Sequence, residues 1–190
     1  MNAEYETSRL VLKILPPVYS QEVLRFQLRN REQFERYEPQ RPENFYTTSH
    51  QQAVLKCEYK LATRLSTIRF YVFLKGRPHT IIGTVCLHDI LRQAYSCCEI
   101  GYKFDYEYQH QGYAREAVQK AIDIAFSALS LHRIFARVMP ENTASIRLLS
   151  DLCFSEEGME RSCIKIRGKW TDHIRYALIA PESYTAAYSI

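Results

Sequence analysis

The chain has 190 residues, 46% of them apolar and 13% aromatic, with 25 Lys+Arg against 21 Asp+Glu for a formal net charge of +4. A chain this long buries roughly 70% of its unfolded surface, so residues 1–190 read as one domain that needs no disulfide or metal staple. The composition excludes a disordered or collagen-like chain, and no apolar run approaches the ~18 residues of a membrane span.

In chain order, Arg9–Leu15 alternates as a first strand and stops at Pro16 and Pro17. A helical stretch begins near Ser20, with Val23, Phe26 and Phe34 at apolar positions, and Glu38–Tyr46 reads as a loop holding Pro39 and Pro42. Ser49 followed by Gln52 fits a capping box that opens a second helix toward Leu65. Ile68–Leu74 and His79–His88 are β-rich runs flanking the turn Lys75–Pro78, which makes them a hairpin. Ala94–Phe104 is a third long strand. From Gly112 the period changes: Ala114, Ala117, Val118, Ala121, Ile122, Ala125, Phe126 and Leu129 trace one face of a helix of about 18 residues. Arg133–Met139 is a short strand, Asn142 caps a short helix over Thr143–Leu152, and Phe154–Ile166 with Trp170–Ile179 reads as a closing β-hairpin. The order predicts an α/β (mixed α+β) fold: a twisted mixed sheet of about seven strands with helices on both faces.

The N-terminus is acidic and polar, the opposite of a signal peptide. No run of five basic residues occurs, so the footprint of a nucleic-acid binder is missing. The six cysteines form no Cys-x-x-Cys and no zinc-spaced pair; Cys97 and Cys98 point to opposite faces of a strand. No metal site is expected. Free thiols in or near a core fit a reducing compartment, so the chain reads as cytoplasmic, without a membrane or nucleic-acid partner. Monomer and homodimer are equally compatible with the sequence.

The junction between the Ala94–Phe104 strand and the Gly112 helix carries the most chemistry. The first N–H groups of that helix have no intrahelical partner and lie at the positive end of its dipole. Gly112 removes the Cβ that would hold a phosphate away, and Ala114 keeps the next turn shallow, so the junction forms a phosphate cradle. Neither a Gly-x-x-x-x-Gly-Lys-Ser/Thr nor a Gly-x-Gly-x-x-Gly occurs, which sets aside triphosphate and dinucleotide sites.

Gln109-x-x-Gly112-x-Ala114 at a strand–helix junction resembles the acyl-CoA pyrophosphate motif of the GNAT superfamily of N-acetyltransferases. Val138–Leu149, with Asn142, Ser145 and Arg147, resembles that family's second motif. Glu99–Tyr102, Gly112–Ala117 and Asn142–Ser145 together resemble the branch that acetylates ribosomal-protein N-termini. The resemblance implies acetyl-CoA as co-substrate and a primary amine as acceptor, either a protein N-terminal α-amine or a small-molecule amine. It implies that backbone groups of Gln109, His110, Gln111, Gly112, Tyr113 and Ala114 hold the CoA pyrophosphate. The strand end at Tyr102, Lys103 and Phe104 would bind the pantetheine amides, helped by a bulge that splays this strand from Arg133–Met139. Asn142 would bond the pantetheine arm, and Arg147 would face a phosphate.

Direct transfer to an amine asks for a base and for an acid at the departing thiolate. About a tenth of an α-amine is neutral at pH 7. Glu99, acting through one water, is the candidate base, and Ser145 is the candidate donor to the thiolate. Many family members place a tyrosine acid where Leu149 stands here. That departure keeps a rival reading open, a non-catalytic acyl-CoA-binding or regulatory module. Cys153-Phe154 stands where the family has Gly-Phe, a departure that concerns the turn. Phe34, Tyr37, Phe45, Tyr46 and Trp170 are the aromatic candidates for the acceptor pocket.

Overall fold

The computed structural model describes residues 2–182, and in it eight strands form one sheet in the order β1-β2-β3-β4-β5-β6-β8-β7. The strand beyond the expected seven is β1 (Glu4–Glu6), an edge segment paired antiparallel with β2 (Leu10–Lys13). β3 (Ile68–Leu74) and β4 (Arg77–Leu91) form the expected hairpin, tightened so that only Lys75 and Gly76 lie between them. β5 (Cys97–Phe104) continues antiparallel on β4, whereas β6 (Arg133–Val138) runs parallel to β5. β7 (Ser155–Ile166) and β8 (Lys169–Ile179) close the sheet as a long hairpin, with β8 against β6.

The first helical stretch is two helices, α1 (Ser20–Arg29) and α2 (Arg31–Glu35). They break at Asn30, whose side-chain amide donates to the Phe26 carbonyl at 3.0 Å and so competes with the helix ladder. α3 (Thr48–Thr63) starts earlier than the Ser49 capping box predicts. Its cap is Thr47, whose hydroxyl accepts from the His50 N–H at 3.3 Å, while Gln51 is buried and donates to the Phe45 carbonyl. α4 (Tyr113–Asp123) ends in a wide turn over Ile124–Ala128, where the Leu129 N–H reaches back to the Ile124 carbonyl. α5 (Thr143–Asp151) has Asn142 as its cap, as expected, with Asn142 Oδ1 accepting from the Ser145 N–H at 3.2 Å.

Strand periodicity of two assigns the helices to faces. Phe70, Val72, Val85 and Ile100 meet Ala117, Val118, Ala121 and Leu149 of α4 and α5 on one face. Tyr71, Phe73 and Ile81 meet Val23, Phe26, Phe34 and Leu55 of α1, α2 and α3 on the other. All six cysteines are free; Cys86, Cys97 and Cys98 are buried, but Cys57 and Cys153 are exposed. Cys153 adopts the left-handed φ of 63° that a family glycine would take and closes α5, its N–H donating to the Ser150 carbonyl. Among the described residues no helix is long and apolar enough to cross a membrane.

The functional feature of this sheet is where it parts. β5 and β6 pair only over Cys97–Glu99 and Arg133–Phe135, and beyond Glu99 the two strands diverge. The bulge expected in β5 lies in β4 instead. Asp89 has φ 51° and the register shifts between His88 and Leu91, whereas β5 keeps an unbroken register from Glu99 to Phe104.

Candidate active site

A cleft of about 1220 Å³ occupies the parting of β5 and β6. Ile100–Phe104 form one wall, Ala136–Met139 the other, and the N-termini of α4 and α5 close one end. The Asp105 N–H donates to the Ile82 carbonyl at 2.9 Å, which fixes the phase of the β4–β5 ladder. By antiparallel alternation, the main-chain groups of Lys103 and Gly101 point to β4, and those of Tyr102 and Phe104 to the cleft. A free strand edge therefore lies in the cleft wall, suited to an extended chain of amides.

The strand–helix junction at Gly112 sits where the sequence placed it. Gly112 is the N-cap residue of α4 at φ 78°, and a Cβ there would meet Arg9 Nη2 at 3.3 Å. The N–H groups of His110 through Arg115 find no acceptor among the described residues, whereas the Gln109 N–H donates to the Tyr106 carbonyl at 3.3 Å. Gln109, His110, Gly112, Tyr113 and Ala114 line the cleft. Gln111 points outward, its side-chain amide donating to the Glu107 carbonyl. Arg115 and Arg147, both exposed on the cleft rim, form no ion pair among the described residues.

Residues that sequence reasoning missed hold the cradle in place. Glu116 accepts from Thr7 Oγ1 at 2.6 Å, Ser8 Oγ at 2.9 Å, the Arg9 N–H at 2.9 Å and Arg9 Nε at 2.6 Å. Burial works against the Glu116 carboxylate, yet these bonds, Thr7 first among them, bring its pKa down to about 2. Arg9 also donates to the Gln111 carbonyl at 3.0 Å and lies over the Tyr113 ring. Behind the loop, fully buried Asp105 pairs with Arg29 and accepts from the Glu107 N–H, while Asn30 Oδ1 accepts from the Tyr106 N–H. Their signal in sequence is faint, because each contact spans 76 residues or more, apart from the local Asp105 turn.

Across the cleft, Tyr102 Oη lies 2.7 Å from Ser145 Oγ, and burial pushes the phenol up to about 12. A tyrosine hydroxyl thus stands beside Ser145, supplied by β5 rather than by α5, where Leu149 is fully buried in the core. Asn142 spends its carbonyl oxygen on the Ser145 cap and lines the cleft.

Two expectations meet a different arrangement. Lys103 lines the cleft, but its main-chain groups turn to β4 and its side chain is engaged with its neighbours. Its ammonium bonds Glu38 at 2.7 Å and Gln27 at 3.1 Å and lies 4.3 Å from the centre of the Phe34 ring. Burial lowers its pKa to about 8 against the opposing pull of Glu38. Burial would raise Glu38, but Lys103 and then Arg41 bring it below the ordinary carboxylate range. Glu99 is the last paired residue before the parting and is not in the cleft wall; its carboxylate pairs with Arg137, which also bonds Glu160 at 2.6 Å. Of the aromatic candidates, Phe34 and Tyr37 line the cleft. Phe45 is buried, Tyr46 donates to Glu35, and Trp170 is 65% exposed.

A second groove of about 480 Å³ continues from the first past Arg36, Tyr37 and Met139, which line both. Arg167 and Lys169 of the β7–β8 turn and Glu141 complete its rim. Arg36, Arg167 and Lys169 enter no ion pair among the described residues.

A strand edge freed by a parted sheet lies beside a glycine-opened helix N-terminus, an arrangement suited to an extended chain of amides that ends in a phosphate. The model of the GNAT acetyltransferase domain matches residues 9–155, and the chain belongs to that family. It is 35% identical over 163 residues to the probable N-acetyltransferase YjcK of Bacillus subtilis, covering 86% of this chain and 90% of that protein. It is 30% identical over 176 residues to the ribosomal protein uS5-alanine N-acetyltransferase of Escherichia coli, covering 93% and 90% respectively. The crystal structure of ribosomal-protein-S5-alanine acetyltransferase from Vibrio fischeri superimposes with a TM-score of 0.88 at 31% identity, covering 94% of this chain and 97% of that one. The chain is thus an enzyme, an N-acetyltransferase.

Proposed function

We propose that residues 1–190 act as one domain that acetylates the N-terminal α-amine of a protein acceptor in the cytoplasm. The observation that carries this reading is the parting of β5 from β6 beneath the α4 N-terminus. The free N–H groups of His110 to Arg115 bind the CoA pyrophosphate, with Arg147 and Arg115 adding charge at the rim. The exposed main chain of Tyr102 and Phe104 bonds the pantetheine amides as an added strand would, and the Asn142 amide group bonds the same arm. Ser145, backed by Tyr102, donates to the departing thiolate and takes the place of the tyrosine missing at position 149. No step needs a metal.

Support for a protein N-terminus over other amines comes from the uS5-alanine relative, which this chain matches along nearly its whole length. Similarity to the spermidine N(1)-acetyltransferases of Vibrio cholerae and Escherichia coli covers 35% and 58% of the chain, less than the 93% matched by the uS5-alanine relative. The groove that continues from the cleft points the same way, since Arg36, Arg167 and Lys169 outnumber Glu141 in its lining and repel a polycation. The test is steady-state acetyl transfer to a peptide beginning with alanine, to the same peptide with a blocked N-terminus, and to spermidine. Turnover confined to the free α-amine is the expected result. Spermidine as the better substrate overturns the choice of acceptor.

A further inference from the structure

Amine transfer needs a proton acceptor, and Glu99, committed to Arg137 outside the cleft wall, does not supply one. We propose that His173 of β8 is that acceptor, taking the proton from the acceptor amine on its Nε2 atom. The proposal rests on the N-acetyltransferase reading and adds a residue to it.

His173 is 95% buried, at 5% exposure, and lines the main cleft. Its Nδ1 lies 3.3 Å from the Thr171 carbonyl and 3.5 Å from Cys163 Sγ. A carbonyl oxygen only accepts, so we assign the ring proton to Nδ1, facing the carbonyl that the Cys163 thiol also approaches at 3.8 Å, which leaves Nε2 with a bare lone pair. Nε2 has no hydrogen-bond partner among the described residues, yet it is not one of the sealed-off polar atoms. The arrangement suits an oriented base: one ring nitrogen is held by the fold, and the other is unpartnered on a residue that lines the cleft.

The position fits the chemistry. Alternation along β8 puts His173 on the face of Arg175, which pairs in register with Arg137 of β6. Lys103, above Phe34 of α2, shares that face. Tyr102 and Ser145 lie on the opposite face, toward α5. An amine entering from the α2 side meets His173, while the sulfur leaves toward Ser145. As the N–C bond forms, the amine nitrogen gives one proton to Nε2. The C–S electron pair departs with sulfur, Ser145 hydrogen-bonds it, and water returns a proton to it as the imidazolium is discharged.

Two measurements test this. The long-range ¹⁵N–¹H spectrum of the protein without ligands should show His173 with its proton on Nδ1; a proton on Nε2 overturns the proposal. In steady-state transfer to the alanine peptide, His173→Gln and His173→Ala should each lower kcat by about 100-fold or more, the range of general-base loss. Acetyl-CoA binding by calorimetry should change by less than about twofold, because Nε2 acts on the amine. Added imidazole should restore turnover to His173→Ala. A His173→Gln enzyme within about threefold of the parent, or a folded His173→Ala enzyme that imidazole does not rescue, refutes the role. A parent chain that acetylates no amine overturns the transferase reading itself, an outcome distinct from a silent histidine.

Discussion

Glu116 offers the sharpest test of how the cradle is held. Its carboxylate gathers four hydrogen bonds from Thr7, Ser8 and Arg9, tying the start of α4 to the β1–β2 edge. A pKa brought from 4.5 to about 2 corresponds to about 3 kcal/mol of stability at neutral pH. Solvent around the half-exposed Arg9 screens part of this, and about 2 kcal/mol is expected. The folded-state pKa is depressed, so the contribution is complete above pH 4.5 and is lost as pH falls through about 2. Urea unfolding of the parent and Glu116→Gln, repeated from pH 7 to pH 2, should show a gap of about 2 kcal/mol at pH 7 that narrows steadily below pH 4.5. Equal stabilities at pH 7, or a gap that persists unchanged to pH 2, would refute the reasoning. The same variant should bind acetyl-CoA more weakly, because Arg9 loses its partner beside the Gly112 loop.

Three further substitutions probe the cleft and its walls. A Cβ at Gly83 would stand 2.3 Å from Phe104 Cδ1, so Gly83→Ala should cost about 1–3 kcal/mol in urea unfolding and raise the KM for acetyl-CoA as the Phe104 ring is displaced. Unchanged stability would show that the ring turns aside freely. Ser145→Ala and Tyr102→Phe should each lower kcat, and the double variant should lose little more than the worse single, since the two hydroxyls act as one unit at 2.7 Å. Strictly additive losses in kcat would separate their roles.

The parts of this fold that sequence made legible are those in which one element carries its own pattern. The Gly112 helix shows its apolar face at every third and fourth residue, and that face is the one buried against β3, β4 and β5. Asn142 caps α5 because its own side chain reaches three residues on, a local event. What was hidden depends on partners far along the chain. β1 is three residues long and exists because β2 and the Lys13–Glu4 pair hold it. Thr47 rather than Ser49 caps α3 where buried Gln51 fastens to the Phe45 carbonyl, a tertiary choice between two hydroxyls. Glu99, the candidate base from sequence, is held by Arg137 across the β5–β6 pairing, a contact that no local pattern shows. The His173–Cys163 contact is invisible to local pattern, because it crosses a hairpin whose register is broken between Glu160 and Ile164.

The central claim is that the β5–β6 parting and the Gly112 loop hold acetyl-CoA, and one titration tests it most directly. Calorimetry of the parent and of Gly112→Asp with acetyl-CoA, with ATP as a control, places a carboxylate where the pyrophosphate would lie. The account predicts micromolar binding of acetyl-CoA to the parent, none of ATP, and at least about a tenfold loss in the variant, or 1.4 kcal/mol. Equal affinity of parent and variant, or equal binding of ATP, would contradict it.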